Sequence, residues 1–135
     1  MSAPEVFLDT NVLLYLLSAE TAKADRAEEL VAAGGVISVQ VLNEFAAVAT
    51  RKLAMDIAAV RDILATVRAV CDVTPLDIDT HDRALDLAER FRLSIYDALI
   101  VAAAAGAGCR VLYTEDLQHG QAFDRLTVRN PFRPS

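Results

Sequence analysis

Short apolar runs alternate along the chain with segments whose apolar residues recur at helical spacing. Val6-Phe7-Leu8 reads as a buried strand that ends at Asp9. Ala22 to Ala33 is patterned as a helix, and Gly34-Gly35 closes it, because glycine takes the left-handed cap conformation without a Cβ clash. Val36-Ile37-Ser38 is a second short strand. From Val39 to Lys52, the residues Val41, Leu42, Phe45, Val48 and Ala49 share one helical face; from Asp56 to Val70, so do Ile57, Val60, Ile63, Leu64 and Val67. Val73 to Ile78 is expected to be extended around Pro75. Thr80 is the expected cap of a helix reaching about Arg92, and Ser94 starts another that Gly106 and Gly108 end. Arg110 to Tyr113 is a strand, and Leu126-Thr127-Val128 is a weaker one.

Strand and helix alternate, with no two-residue hairpin turn of the Asn-Gly kind. This order predicts an α/β/α sandwich with a central, mostly parallel sheet of four or five short strands. In such sheets the ligand site lies beyond the carboxyl ends of the strands, where Asp9 and Asp116 are expected. The segment Ile95 to Ala105 is apolar nearly all round, which predicts a central, buried helix. Its one acid, Asp97, is in the first turn.

Length adds a bound: 135 residues suit a single domain spanning 1–135. With 54% apolar residues, the chain can build a core without disulfides. Cys71 and Cys109 lack CxxC spacing and are expected to be reduced, buried thiols. The start has no basic region followed by an apolar run, so no secretory signal is expected. Ala98 to Ala107 falls short of the roughly 20 residues a bilayer span needs. These features together predict a cytoplasmic protein with no membrane partner.

Charge changes the picture further. A net charge of −6 argues against holding nucleic acid through a broad basic surface. It leaves room for a nuclease whose clustered acids hold metal ions. Asp72, Asp77, Asp79, Asp82 and Asp86 make the middle an acidic, solvated face, whereas Arg125, Arg129 and Arg133 make the last stretch basic. The only histidines, His81 and His119, are expected at the surface and in a loop. No GxxxxGK or GxGxxG loop is present, which leaves nucleotide binding of those kinds unsupported.

Four acids stand out from this background. Each has an ordinary role available: Asp9 as a helix cap, Glu44 as a solvated charge, Asp97 in a capping-box pattern with Ser94, and Asp116 in a turn. Together they are expected at one end of the sheet. Two carboxylates about 4 Å apart repel by about 4 kcal/mol at an effective dielectric near 20. No Lys or Arg lies within four residues of Asp9 or Asp97 to offset this. A hard divalent cation such as Mg²⁺ or Mn²⁺ is the natural counterion for oxygen donors. Such a site can activate water and stabilise the charge developing on a phosphodiester.

Phe7-Leu8-Asp9-Thr10-Asn11-Val12-Leu13-Leu14-Tyr15 closely resembles the opening of PIN-domain nucleases. Asn43-Glu44, Tyr96-Asp97-Ala98-Leu99-Ile100 and Tyr113-Thr114-Glu115-Asp116-Leu117 resemble that family's later acidic motifs, in the same order and spacing. At this length the resemblance is to the VapC-type toxins of bacterial and archaeal toxin–antitoxin pairs. It implies that Asp9, Glu44, Asp97 and Asp116 are catalytic and metal-binding, with Thr10, Asn11 and Thr114 supporting them by hydrogen bonds. Glu115 stays open as an alternative to Asp116, which matches the motif better. The resemblance also implies a Mg²⁺- or Mn²⁺-dependent endoribonuclease acting on RNA, a homodimer, and a small VapB-like antitoxin that blocks the site.

Two rival readings remain. An aspartyl-phosphate phosphatase of the haloacid-dehalogenase type also places an Asp after its first strand. It usually needs a second Asp two residues on, where this chain has Asn11, and a late lysine, whereas Lys23 and Lys52 are the only lysines. The other rival is a catalytically weak RNA- or protein-binding module, against which the presence of all four acids argues.

Overall fold

The computed structural model describes residues 5–133. In chain order the elements are β1 (Val6–Leu8), α1 (Thr10–Leu14), a 3-10 turn (Tyr15–Leu17), α2 (Thr21–Ala32), β2 (Gly35–Ser38), α3 (Val39–Arg51) and α4 (Ile57–Val70). Then follow β3 (Cys71–Thr74), α5 (Ile78–Phe91), α6 (Ile95–Gly106), β4 (Val111–Tyr113), β5 (Ala122–Phe123) and β6 (Leu126–Arg129). The strands form one sheet in the order β3-β2-β1-β4-β6-β5. Every pairing is parallel except that of β5 with β6.

The chain starts near the middle of the sheet, builds outward through β2 to β3, and then returns to the other side of β1 with β4. Right-handed crossovers in the two directions put their helices on opposite faces. Accordingly α1 to α4 pack among themselves, and α5 packs along α6. The reversal of direction between β1 and β4 is the switch point at which open α/β sheets bind ligands. Asp9 follows β1 and Thr114 follows β4 at that point. The core lies between sheet and helices: Phe7, Leu8, Ile37, Leu112 and Val128 meet Val41, Phe45 and Val101, all buried.

Several local expectations need correction. The sheet has six strands because a two-residue strand, β5, pairs antiparallel with β6 through Phe123↔Leu126. Its tight turn is Asp124-Arg125, with Asp124 at φ 55°, so aspartate takes the left-handed role expected of Asn-Gly. Asp9 caps a five-residue helix, α1, that is too short to show a period in the sequence. The extended segment is Cys71–Thr74 rather than Val73 to Ile78. Asp77, not Thr80, caps α5, and its Oδ1 accepts from both the Thr80 N–H (2.9 Å) and the Thr80 hydroxyl (2.8 Å).

Other readings hold. Gly34 ends the α2 segment with φ 81°. Gly35 already belongs to β2, where a Cβ would come within 3.0 Å of the Val6 carbonyl oxygen, so only glycine lets β1 and β2 approach there. Residues Ile100 to Ala104 of α6 are buried, and Ser94 caps the helix. Both cysteines are buried and unpaired. No described helix is long and apolar enough to cross a membrane.

Candidate functional site

Asp9 extends the β1 ladder by one bond, since its N–H donates to the Tyr113 carbonyl at 3.0 Å. This ties the carboxyl ends of β1 and β4 together and leaves Asp9 5% exposed. Its Oδ1 accepts from the Thr10 N–H (2.7 Å) and its Oδ2 from the Thr114 hydroxyl (2.8 Å). Thr114 is fully buried, and its Oγ1 also accepts from the Asp116 N–H (3.0 Å) and the Asn11 side-chain amide (3.1 Å). The same Asn11 amide reaches Asp116 Oδ2 at 3.1 Å. On the other flank, Glu44 Oε1 accepts from the Thr10 hydroxyl (3.2 Å) and from Gln40 Nε2 (3.1 Å).

One hydrogen-bonded network therefore joins Asp116, Asn11, Thr114, Asp9, Thr10 and Glu44. Asp97 enters through α6: Ser94 Oγ accepts from the Asp97 N–H at 3.1 Å, which fixes the first turn of that helix. Electrostatics connects Asp97 to the rest. Burial raises its carboxyl above the ordinary value, the Ser94 side chain opposes this, and the Asp116 charge raises it further. Asp9 is pushed up to about 6, first by burial. Hydrogen bonds from Thr114 and Thr10 oppose that shift, and the charges of Asp116 and Glu44 add to it. All four acids thus share one electrostatic neighbourhood.

Among the described residues, no lysine or arginine pairs with it. The ion pairs there are Lys23–Glu20, Arg26–Glu29 and Arg110–Glu5, and none includes an acid of the cluster. Two buried oxygens beside the acids, Asn11 Oδ1 and Gln40 Oε1, have no hydrogen-bond partner. Such atoms are rare in folded proteins and call for a donor such as water or a hydrated ion. Among the described residues, no three acids, histidines or cysteines are gathered closely enough to hold a metal ion as they stand. Mg²⁺ keeps several waters and takes only one or two carboxylates directly, so it does not require a closed cage. The donor set, all oxygen and all anionic, fits a hard divalent cation.

The two adjacent acids separate cleanly. Glu115 Oε1 accepts from the Tyr15 hydroxyl at 2.7 Å, and Lys23 Nζ donates to that hydroxyl at 3.3 Å. Tyr15 also packs on Phe132, with ring centroids 4.4 Å apart. Glu115 is thereby held by Tyr15, while Asp116 joins Asn11 and Thr114. The network also contains a residue that sequence reasoning missed. Gln40 lies one helical turn before Glu44 on the same face, and that i, i+4 spacing was the available signal.

The remaining candidates fall away from the site. His119 Nδ1 accepts from the Asn130 N–H at 3.0 Å in an exposed loop, and His81 is exposed on α5. Burial pushes the Cys109 thiol up to about 11, which leaves it protonated and inert at neutral pH. A cleft of about 620 Å³ between α5, α6 and the β5–β6 turn is lined by Arg83, Arg90, Arg110 and Arg125 and contains none of the four acids. The acids are picked out by their chemistry rather than by concavity.

Taken together, these features define an α/β domain with a carboxylate cluster at its switch point that no described lysine or arginine pairs with. The PIN-domain family model matches residues 6–126, and the chain belongs to that family. No curated protein matches the chain by sequence. Among solved structures, the fold is similar to Mycobacterium tuberculosis VapC20, described as a Sarcin-Ricin loop cleaving toxin (TM-score 0.67, 24% identity, covering 82% of this chain and 89% of that one). It is also similar to a toxin–antitoxin complex from Klebsiella pneumoniae (TM-score 0.71, 20% identity, 98% and 100% covered). A third similar structure is VapBC2 from Rickettsia felis bound to a DNA fragment from its promoter (TM-score 0.68, 16% identity, 93% and 97% covered). At these identities the likeness establishes the fold.

Proposed function

We propose that this protein is a divalent-metal-dependent endoribonuclease, the toxin of a VapBC-type toxin–antitoxin pair. The observation that carries this reading is the four-acid neighbourhood of Asp9, Glu44, Asp97 and Asp116, buried in part, paired with no described lysine or arginine and bordered by unsatisfied oxygens. The family supports it, as does likeness to structures described as an RNA-loop-cleaving toxin and as toxin–antitoxin complexes.

In this reading the four carboxylates hold Mg²⁺ or Mn²⁺. Held there, a divalent cation would supply an activated water and stabilise charge on the scissile phosphate. Thr114 and the Thr10 N–H each hold one oxygen of Asp9, and Asn11 holds Asp116 Oδ2, so the side chains are oriented before substrate arrives. The protein works in the cytoplasm as a homodimer, and a small VapB-like antitoxin covers the acids. The test is substrate class. Purified protein free of antitoxin cuts RNA internally with Mg²⁺ or Mn²⁺ and stops in EDTA. Hydrolysis of a phosphomonoester with no cleavage across a broad RNA panel would favour an aspartyl-phosphate phosphatase instead.

A further inference from the structure

Gln40 sits in the second turn's reach of the acids but belongs to none of the motifs that carry them. It is 6% exposed on α3. Its Nε2 donates to Glu44 Oε1 at 3.1 Å and to the Tyr96 carbonyl, also at 3.1 Å. Both partners are pure acceptors, so the amide orientation is fixed: the NH₂ must face them, and a flipped amide would set oxygen against oxygen. The Tyr96 carbonyl belongs to the first turn of α6 and directly precedes Asp97. One side chain therefore spans from a carboxylate on α3 to the backbone that carries the next acid on α6.

We infer that Gln40 is a positioning residue that clamps the Glu44 carboxylate to the first turn of α6 and so sets the separation of Glu44 and Asp97 across the metal site. The inference rests on the metal-nuclease reading and deepens it. Glu44 and Asp97 come from two helices, α3 packed with α1 and α4 and α6 packed with α5, and ladder bonds do not fix the distance between them. The Thr10 hydroxyl holds Glu44 toward Asp9, and Gln40 holds it toward Asp97. Both donors use Oε1, and no described donor reaches Oε2, which leaves that oxygen available to a metal. A purely structural role explains the residue less well. Gln40 Oε1 is buried without a partner, which is unfavourable, and a methionine would fill the same space without that penalty.

The experiment compares full-length wild type, Gln40→Met, Glu44→Gln and the double variant. Mn²⁺ affinity is read by electron paramagnetic resonance, melting temperature in EDTA by circular dichroism, and kcat and KM by RNA cleavage. Gln40→Met removes both donors at similar volume. It is expected to weaken Mn²⁺ binding about 10-fold or more, in the range for groups that orient metal ligands, and to lower kcat with little change in KM. Its melting temperature in EDTA should not fall in proportion. The double variant should bind Mn²⁺ no more weakly than Glu44→Gln alone, because without the Glu44 carboxylate the bond to the Tyr96 carbonyl no longer links two metal-holding acids. Should Gln40→Met fail to fold, Gln40→Asn, which keeps the amide but is one carbon too short to bridge, carries the same comparison. Wild-type Mn²⁺ affinity in the variant, or losses that multiply in the double variant, would overturn the clamp. A wild-type protein that binds no Mn²⁺ would overturn the metal reading itself, and the clamp with it.

Discussion

Replacing Asp9 by asparagine should stabilise the metal-free protein at neutral pH. The Asp9 carboxyl is raised from 3.8 to about 6, chiefly by burial. A carboxyl with a folded pKa above its unfolded value favours folding in its protonated form. Its contribution is fully present below the unfolded pKa and is lost as pH rises through the folded one. A shift of roughly two units corresponds to about 3 kcal/mol of stability absent above pH 6, at about 1.4 kcal/mol per unit. Asparagine keeps the shape and removes this loss. It also gives something up, because Thr114 Oγ1 already accepts two hydrogen bonds and cannot take a third from an asparagine amide. One hydrogen bond is therefore broken, at a cost of about 1–2 kcal/mol. The net expectation is a gain of about 1–2 kcal/mol at pH 7.5, or a rise of about 3–6 °C in melting temperature for a chain of this size. The assay is a series of thermal melts of both proteins in EDTA from pH 4 to pH 8. Wild type should lose stability between about pH 4 and pH 6, and the variant should not, so that their order reverses at the acid end. Parallel curves, or a variant that melts lower at pH 7.5, would refute the placement of Asp9 as a carboxylate whose charge is disfavoured chiefly by burial.

Three further outcomes follow from the same geometry. Glu115→Gln should retain metal-dependent cleavage and Asp116→Asn should lose it, because Tyr15 holds Glu115 while Asn11 holds Asp116; single-turnover RNA cleavage showing the reverse would exchange their roles. Phe45→Ala, at a fully buried position, should lower the unfolding free energy in urea by about 3–5 kcal/mol, and a loss under about 1 kcal/mol would mean that α3 does not pack as described. Ile78 and Tyr96 are 69% and 65% exposed, large apolar side chains that a partner copy would cover, so light scattering at micromolar concentration should report a dimer; monomer alone would count against the homodimer.

The sequence made most of the fold legible where a pattern had room to repeat. α3 and α4 span 13 and 14 residues, long enough for their apolar faces to declare themselves; β1 is an uninterrupted apolar run, and β2 is marked by Val36-Ile37. α1 and β5 were hidden because five and two residues are too few for a helical or strand period to repeat. The start of α5 was misplaced because Asp77 and Thr80, three apart, both have capping side chains, and only the bond between them shows which one caps the other's backbone. Asp9 and Asp116 were readable because they follow strand ends and Asp97 because it opens a helix, whereas Glu44 lies inside α3 and was readable through the resemblance of Asn43-Glu44 to a family motif. Gln40 was not, since its second partner is 56 residues away and is a backbone carbonyl, which leaves no trace in residue type. The choice between Glu115 and Asp116 likewise depends on a Tyr15 contact 100 residues away in sequence.

The central claim is that Asp9, Glu44, Asp97 and Asp116 act as one metal-holding unit that cleaves RNA. Its most direct test is the RNA cleavage rate of four single variants, three Asp→Asn and Glu44→Gln, in saturating Mn²⁺, with folding checked by circular dichroism. Each variant is expected to remain folded and to lose nearly all cleavage, and two combined should lose little more than one, because members of a unit fail together. A folded Asp97→Asn protein that cuts RNA at close to the wild-type rate would contradict the claim and reduce Asp97 to a residue of the α6 cap.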